Sequence, residues 1–190
     1  STAETGVTAT VNATSLTGGG DNSGATKADT GSTGTIYINN VETAAVTITG
    51  DESRDRQSAI DVINAVSGQT GVTAEDNGES ITLTAADGRN ISVAIDNKLA
   101  ENAAAVPSRD SSNFGVTIGL DSAKAGIGEA DITGSASTYA NTAGTTNSTV
   151  TLTSASAIEV SNGANGADEL AEAGFSAGTF GGGEDGQFLK

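Results

Sequence analysis

The chain has 190 residues, and 8 Lys plus Arg against 24 Asp plus Glu give it a formal net charge of −16. Hydrophobic residues make up 35% and aromatic residues 3%, so a core has to be built from Val, Ile, Leu and Ala. The acidic balance argues against nucleic-acid or anionic-membrane partners, which would repel this surface. The sequence has no Cys and no His, which excludes disulfides, thiolate metal sites and the common nucleophilic triads.

The first predicted elements are strands separated by a polar loop. Thr5–Val11 is typical of a strand, and Gly18–Gly34 is a low-complexity loop without apolar periodicity. Thr35–Ile38 and Ala45–Ile48 alternate at period two, which indicates two strands, and Asn39-Asn40 between them predicts a hairpin turn. No apolar run is long enough to span a membrane, and no signal segment is apparent.

The next element is an amphipathic helix at about residues 53–67. Asp51 or Ser53 is suited to cap it, and Gly68 is the predicted terminator. Its apolar residues recur at helical spacing: Ala59, Ile60, Ile63 and Val66.

Three strands and two turns follow the helix. The strands are predicted at Val72–Ala74, Ser80–Thr84 and Ile91–Ile95. Asp76-Asn77-Gly78 and Asp87-Gly88 are the turn signals between them. Together with the preceding elements they form a complete strand, helix and strand unit at about residues 34–96.

The second half carries weaker patterns. Lys98–Ala105 and Ala167–Ala173 indicate short helices, and Phe114–Leu120 indicates a strand. Ser148–Val160 predicts one or two strands, and Gly181–Gly186 has the composition of a connector.

These elements predict a strand-rich α+β fold with antiparallel hairpins, one main amphipathic helix at about residues 53–67 and a few short helices. We expect two lobes. The first, residues 1–106, contains the complete unit, and the second, residues 107–190, is strand-rich and ends in a return connector. One continuous domain is the alternative.

The pentapeptide TGVTA occurs twice, at Thr5–Ala9 and at Thr70–Ala74. The second copy follows the amphipathic helix, whereas only Ser1–Glu4 precede the first. We therefore expect a repeat separated from its helix, as in a chain cut from a longer protein. The alternative is that TGVTA is simply a common way to enter a strand.

The candidate catalytic groups all lie in polar, turn-like stretches. Ser122 and Lys124 form a possible Ser-Lys pair, and paired carboxylates occur at Glu75-Asp76, Glu129-Asp131 and Glu184-Asp185. Each is better interpreted as a solvated loop, because activating neighbours and aromatic sugar platforms are scarce. The chain is not expected to be an enzyme.

Metal and nucleotide motifs are equally weak. Gly18–Gly24 and Gly181–Gly186 are rich in Gly and acidic residues, but neither has the spacing of a calcium loop, so flexible acidic loops are favoured. Gly126-Ile127-Gly128 lacks the third glycine of a dinucleotide site. We predict no cofactor and no metal.

Modification motifs are more frequent. Asn12-Ala13-Thr14, Asn90-Ile91-Ser92 and Asn147-Ser148-Thr149 fit the N-glycosylation pattern, which a Ser/Thr-rich sequence meets often by chance. The loops Gly31–Thr33 and Thr145–Thr149 are open to O-linked glycosylation.

Four strings resemble the IN motif that recurs in bacterial flagellins and hook-associated proteins. The most specific is LTAADGRNI, within Ile81–Ile91. The opening TGVTATVN and the closing AGFSAGTF are similar to segments that flank the variable region of pseudomonad-type flagellins. The other three strings are Ile36–Asn39, Ser58–Asn64 and Thr70–Ala74.

The resemblance implies the central, variable outer domain of a flagellin, secreted and exposed on the bacterial filament. Its implied partners are other flagellin subunits, and without the polymerising segments the isolated chain is expected to be a monomer. The alternatives are a hook-associated or capping protein and a surface adhesin or glycan-binding module.

Overall fold

The computed structural model describes residues 6–19, 26–98, 111–121, 127–131, 140–141, 144–161 and 176–181. The chain divides into a terminal unit, residues 1–12 with 150–190, and a central unit, residues 13–149. The strands of the described residues are β1 (Thr8–Val11), β2 (Thr14–Thr17), β3 (Thr33–Ile38), β4 (Val41–Glu42), β5 (Val46–Thr47), β6 (Thr73–Asp76), β7 (Ile81–Ala85), β8 (Ile91–Lys98), β9 (Ile127–Asp131), β10 (Ala140–Asn141), β11 (Gly144–Thr146), β12 (Val150–Thr153), β13 (Ile158–Val160) and β14 (Gly178–Phe180). The helices are α1 (Glu52–Ala65), α2 (Ser67–Thr70) and α3 (Ser111–Ile118).

Two sheets build the central unit. In the smaller sheet, β7 lies between β2 and β6 and is antiparallel to both. In the larger sheet, β8 is antiparallel to β3 and β11 and parallel to β9. The short strands β4 and β5 pair with β3, and β10 pairs with β9. Apart from the β8–β9 pair, the strand pairs of the described residues are antiparallel, which confirms the predicted strand-rich α+β class.

The hairpin predicted at Asn39-Asn40 is confirmed. Ile38 pairs with Val41, which leaves a two-residue loop. Both asparagines have positive φ, 49° and 66°, as a type I′ turn requires. Asparagine tolerates this left-handed conformation better than other residues with a side chain, which explains why a turn without glycine forms here.

The main helix begins as predicted but ends earlier. Asp51 is the N-cap, and its Oδ1 accepts a hydrogen bond of 3.1 Å from the backbone N–H of Arg54. The helix spans 14 residues, and its buried apolar stripe contains Ala59, Ile60 and Ile63. The predicted stripe is therefore confirmed in its first three members.

The predicted terminator Gly68 is wrong. Gly68 lies inside α2, and the chain leaves the helical conformation at Gly71, which has φ of 69° and donates its N–H to the carbonyl of Ser67 at 2.7 Å. A glycine ends a helix only where the backbone must become left-handed, and that position falls three residues later than the pattern suggests.

The strand predicted at Phe114–Leu120 is also wrong, because α3 covers most of this segment. Its alternating apolar residues are all buried, as expected for a helix enclosed on every side, where the helical period disappears. Gly119, with φ of 80°, ends the helix. The N–H of Gly119 donates to the Val116 carbonyl, and the N–H of Leu120 donates to the Gly115 carbonyl.

The buried core of the described residues lies in the central unit and consists mainly of Ile, Val, Leu and Ala, as the composition predicts. Phe114 of α3 is its largest member and is fully buried. The ring packs against Gly34 of β3, where an added Cβ would come within 2.6 Å of ring carbons. The close approach of α3 to the sheet therefore depends on a glycine.

The described part of the terminal unit consists of two antiparallel strand pairs, β1 with β12 and β13 with β14. The strands predicted within Thr5–Val11 and Ser148–Val160 are confirmed as β1, β12 and β13. Strand β14 was not predicted, since its sequence Gly-Thr-Phe is too short to show a period.

The observed division differs from the predicted boundary between residues 106 and 107. Pairing of β1 with β12 joins the first strand of the chain to residues beyond 149, while α3, β9 and β11 belong with the central unit. Such long-range pairing leaves no local sign in the sequence. The helix predicted at Lys98–Ala105 begins with Lys98, which is the last residue of β8, and its other residues lie outside the described ranges. The helix predicted at Ala167–Ala173 and most of the connector Gly181–Gly186 also lie outside them.

Candidate functional site

The string LTAADGRNI forms the end of β7, a tight turn and the start of β8. Gly88 donates its N–H to the carbonyl of Ala85 at 3.1 Å and has φ of 72°. The Asp87 carboxylate accepts hydrogen bonds from the backbone N–H of Arg89 at 3.2 Å and from its guanidinium at 2.6–3.1 Å. The pairing with Arg89 lowers the pKa of Asp87 and raises that of Arg89.

The same arginine reaches the end of the helical segment. Its Nη1 donates to the backbone carbonyl of Thr70 at 2.9 Å, and its guanidinium lies over Gly71, where a Cβ would be 2.3 Å from Cζ. Thr70 is the last residue of α2, so Arg89 satisfies a carbonyl left without a partner by the end of the helix.

Asn39 binds that carbonyl from the hairpin. Its Nδ2 donates to the Thr70 oxygen at 3.2 Å, its Oδ1 accepts the backbone N–H of Ser92 at 2.8 Å, and its own N–H bonds the Ser92 carbonyl at 2.9 Å. Three of the strings that carry the flagellin resemblance thus converge on one oxygen atom. We call this group, Asn39, Thr70, Gly71, Asp87 and Arg89, the Thr70 junction.

The fourth string supplies a second contact between elements. The side chain of Asn64 on α1 accepts the backbone N–H of Ala74 at 2.8 Å and donates to its carbonyl at 2.9 Å. Ala74 lies in β6, an edge strand, so this amide takes the hydrogen-bonding groups that another strand would use. No periodicity in the sequence encodes this role of Asn64.

Charged contacts fix the N-terminal part of α1. The carboxylate of Asp55, fully buried in the first turn, accepts hydrogen bonds from Thr49 N and Oγ1 at 2.8 and 2.6 Å and from Gly50 N at 3.2 Å. Arg56 bonds Asp76 at 2.9 Å in the β6–β7 turn. The backbone N–H of Gly78 and the guanidinium of Arg56 lower the pKa of Asp76.

The described candidates for chemistry are not brought together. Glu75 is exposed, and Asp76 is committed to Arg56 and to its own turn. Glu129 and Asp131 are on β9, apart from them in the larger sheet. Ser122, Lys124 and the pair Glu184-Asp185 lie outside the described residues.

The glycine-rich candidates have local roles where they are described. Gly18 donates its N–H to the Ile81 carbonyl at 2.8 Å and lies so close to the Gly119 carbonyl that a Cβ would be 2.0 Å away. Residues 20–24 and 182–186 are outside the described ranges. Among described residues, no group of three acidic side chains is arranged to hold a metal ion, and no helix is long and apolar enough to cross a membrane.

In two of the three glycosylation motifs, the side chain of the asparagine is engaged in a hydrogen bond. Asn12 exchanges hydrogen bonds with the hydroxyl of Thr151, and its motif partner Thr14 is buried. Asn90 accepts the backbone N–H of Ser148 at 2.8 Å, whereas Asn147 is exposed.

The two loops predicted to be open to O-linked modification differ. Ser32 is buried and Thr33 begins β3, so Gly31–Thr33 is less accessible than predicted. Thr145 and Thr149 are exposed.

Neither a family model, nor a curated protein, nor a solved structure matches this chain.

Proposed function

We propose that this chain is the solvent-facing outer domain of a bacterial flagellin, a structural component of the extracellular filament that supports motility. The observation that carries the proposal is the Thr70 junction. Three strings that resemble the IN motif are separated along the sequence, yet the Asn39 and Arg89 side chains of two of them both donate to the Thr70 carbonyl of the third. Chance matches to a motif have no reason to meet in space, so the convergence supports the resemblance.

The surface charge fits an exposed position in a dense polymer. The formal charge of −16 makes neighbouring outer domains repel one another, which opposes side-to-side association of filaments. Three of the few described cations are already paired with carboxylates, namely Lys27 with Glu52, Arg56 with Asp76 and Arg89 with Asp87. The remaining acidic side chains therefore dominate the surface potential.

The proposed role is mechanical and interfacial rather than catalytic. Hydrogen-bonded loops and a core of aliphatic side chains hold the central unit together, and in this proposal the surface of the domain determines how the filament meets its surroundings. The partners in this proposal are other flagellin subunits, contacted through parts of the parent protein that polymerise.

Immunogold electron microscopy of the native host with serum against this chain tests the proposal. We expect gold along the whole length of the filament. Gold confined to the hook junction or the filament tip would instead identify a hook-associated or capping protein. Gold on the cell body would indicate a surface adhesin, and a glycan array with the same chain would then name its ligand.

The oligomeric state gives a second test. The isolated chain is expected to sediment as a monomer, because assembly in this proposal belongs to segments outside it. A tight oligomer that persists on dilution would contradict this part of the proposal.

A further inference from the structure

A strand pair in the terminal unit repeats one in the central unit. The TGVTA identity extends to Asn12 and Asn77, giving the shared pattern TGVTA-x-x-N over eight residues. The partner strands match as well: β12 reads Val-Thr-Leu-Thr and β7 begins Ile-Thr-Leu-Thr. We call the β1–β12 pair the terminal ribbon and the β6–β7 pair the central ribbon.

The two ribbons have the same register. Ala9 pairs with Leu152 as Ala74 pairs with Leu83. The other three pairs correspond in the same way, with Thr8–Thr153 matching Thr73–Thr84, Thr10–Thr151 matching Glu75–Thr82, and Val11–Val150 matching Asp76–Ile81. A short sequence repeat arising by chance would not also reproduce the pairing of strands from distant parts of the chain.

Local geometry agrees at both ends of the strands. Gly6 and Gly71 both have a left-handed backbone, with φ of 66° and 69°, two residues before the strand begins. At the other end, the asparagine amide donates to the hydroxyl of a threonine on the partner strand, from Asn12 at 3.0 Å and from Asn77 at 3.3 Å.

Each ribbon has one apolar face. In the central ribbon this face is buried, with Val72, Ile81 and Leu83 at 0% exposure. In the terminal ribbon the corresponding face contains the pair Val11–Val150, and these are 53% and 40% exposed. The opposite face of the terminal ribbon consists of threonines: Thr8, Thr10, Thr151 and Thr153.

Helix α1 is what packs on the central ribbon. It lies on β6, buries Ala59, Ile60 and Ile63, and binds the outward backbone groups of Ala74 through Asn64. A two-stranded ribbon has marginal stability in water without a third strand or a packed helix. The central ribbon has both, since β2 also pairs with β7.

We propose that the apolar face of the terminal ribbon is a docking surface for an amphipathic helix of the α1 type. The helix would present a stripe of Ala and Ile to Val11, Val150 and Leu152, and an asparagine to the backbone of Ala9. The occupant is assigned from chemistry within this chain, because the same ribbon with the same register carries such a helix in the central unit. The assignment does not depend on the proposed flagellar function.

A graft tests the proposal in the full chain. Residues 1–4 are replaced by a second copy of the sequence of residues 51–69, so that a helix precedes Thr5 as α1 and α2 precede Thr70. The matched control carries Ile60→Asp and Ile63→Asp in the added copy alone. Hydrogen exchange is followed in the peptides that contain β1 and β12.

We expect amide exchange in the terminal ribbon to slow by about tenfold or more with the active graft and to stay unchanged with the control graft. Equal protection from both grafts, or none from either, would overturn the proposal; the latter result would also be obtained if another part of the terminal unit occupied the face.

A second measurement does not require a new fusion to fold. The unaltered chain is titrated with a synthetic peptide of residues 51–69, and the methyl resonances of Val11 and Val150 are followed by NMR. Both are expected to shift with the peptide and not with its double-aspartate control. Shifts confined to the central unit would contradict the proposal.

Discussion

Asp55 offers the sharpest test of how α1 is held. Its carboxylate is fully buried and accepts three hydrogen bonds from Thr49 and Gly50, in the loop that leads into the helix. Asp55→Ala removes all three acceptors at once. A hydrogen bond to a charged group contributes roughly 1.5–3 kcal/mol, but Thr49 and Gly50 are exposed, so water replaces part of the loss. We therefore expect the free energy of unfolding to fall by about 3 kcal/mol.

The assay is urea unfolding followed by far-UV circular dichroism. Asp61→Ala is the matched control, because Asp61 is exposed on the same helix and bonds only the neighbouring Gln57 side chain in the described contacts, at 2.8 Å. The control should change the free energy of unfolding by no more than about 0.5 kcal/mol. The reasoning is refuted if the two variants unfold at the same urea concentration with equal slopes.

Three further predictions concern glycines and pH. Gly71→Ala places a methyl group 2.3 Å from the guanidinium of the Thr70 junction at φ of 69°, so the free energy of unfolding should fall by about 1–3 kcal/mol. Gly68→Ala changes a helical position with open space around it, so the free energy of unfolding should rise by about 0.5–1 kcal/mol. Thermal melts compare the two variants. Gly34→Ala should cost about 1–3 kcal/mol, because the new Cβ meets the Phe114 ring, and adding Phe114→Leu should recover part of the loss in the same melts. The pKa of Asp76 is lowered from 3.8, so its contribution to stability is present above that pH and is lost as the pH falls through the folded-state pKa. Asp76→Asn should therefore flatten the acid limb of the stability–pH curve. An unchanged acid limb would contradict the assignment.

The elements that could be predicted from sequence are those specified locally. The Asn39-Asn40 turn, the Asp51 cap and the Ile60–Ile63 stripe each depend on residues a few positions apart, and all three are found as predicted. The strands around the Asp87-Gly88 turn are confirmed for the same reason. Short-range chemistry is sufficient to predict an element that is half exposed, because its polar face then reveals the helical or strand period.

Prediction failed where tertiary packing decides. The residues of α3 from Phe114 onward are enclosed, so an apolar residue at every second position fits a helix as well as a strand. The stop signal Gly119 was present in the sequence, and weighing it would have favoured a helix.

The Thr70 junction itself could not be anticipated, because its residues belong to strings that are far apart in the chain. The resemblance identified those strings but gave no reason for their spacing. The structure gives one, since two of the strings each supply a donor to the carbonyl that the third provides. Similarly, no local pattern revealed that β1 pairs with β12.

The terminal ribbon also determines how the chain accommodates change. In the central ribbon the two strands are joined along the chain by the short segment Asn77–Ser80. In the terminal ribbon the corresponding connection along the chain is the whole central unit. Because Val11 and Val150 are directly paired, the central unit leaves and re-enters the ribbon at adjacent positions. The central unit therefore takes the position in the chain that the four-residue turn Asn77–Ser80 takes in the central ribbon, and we expect a change in its length to leave the register of β1 with β12 unaltered.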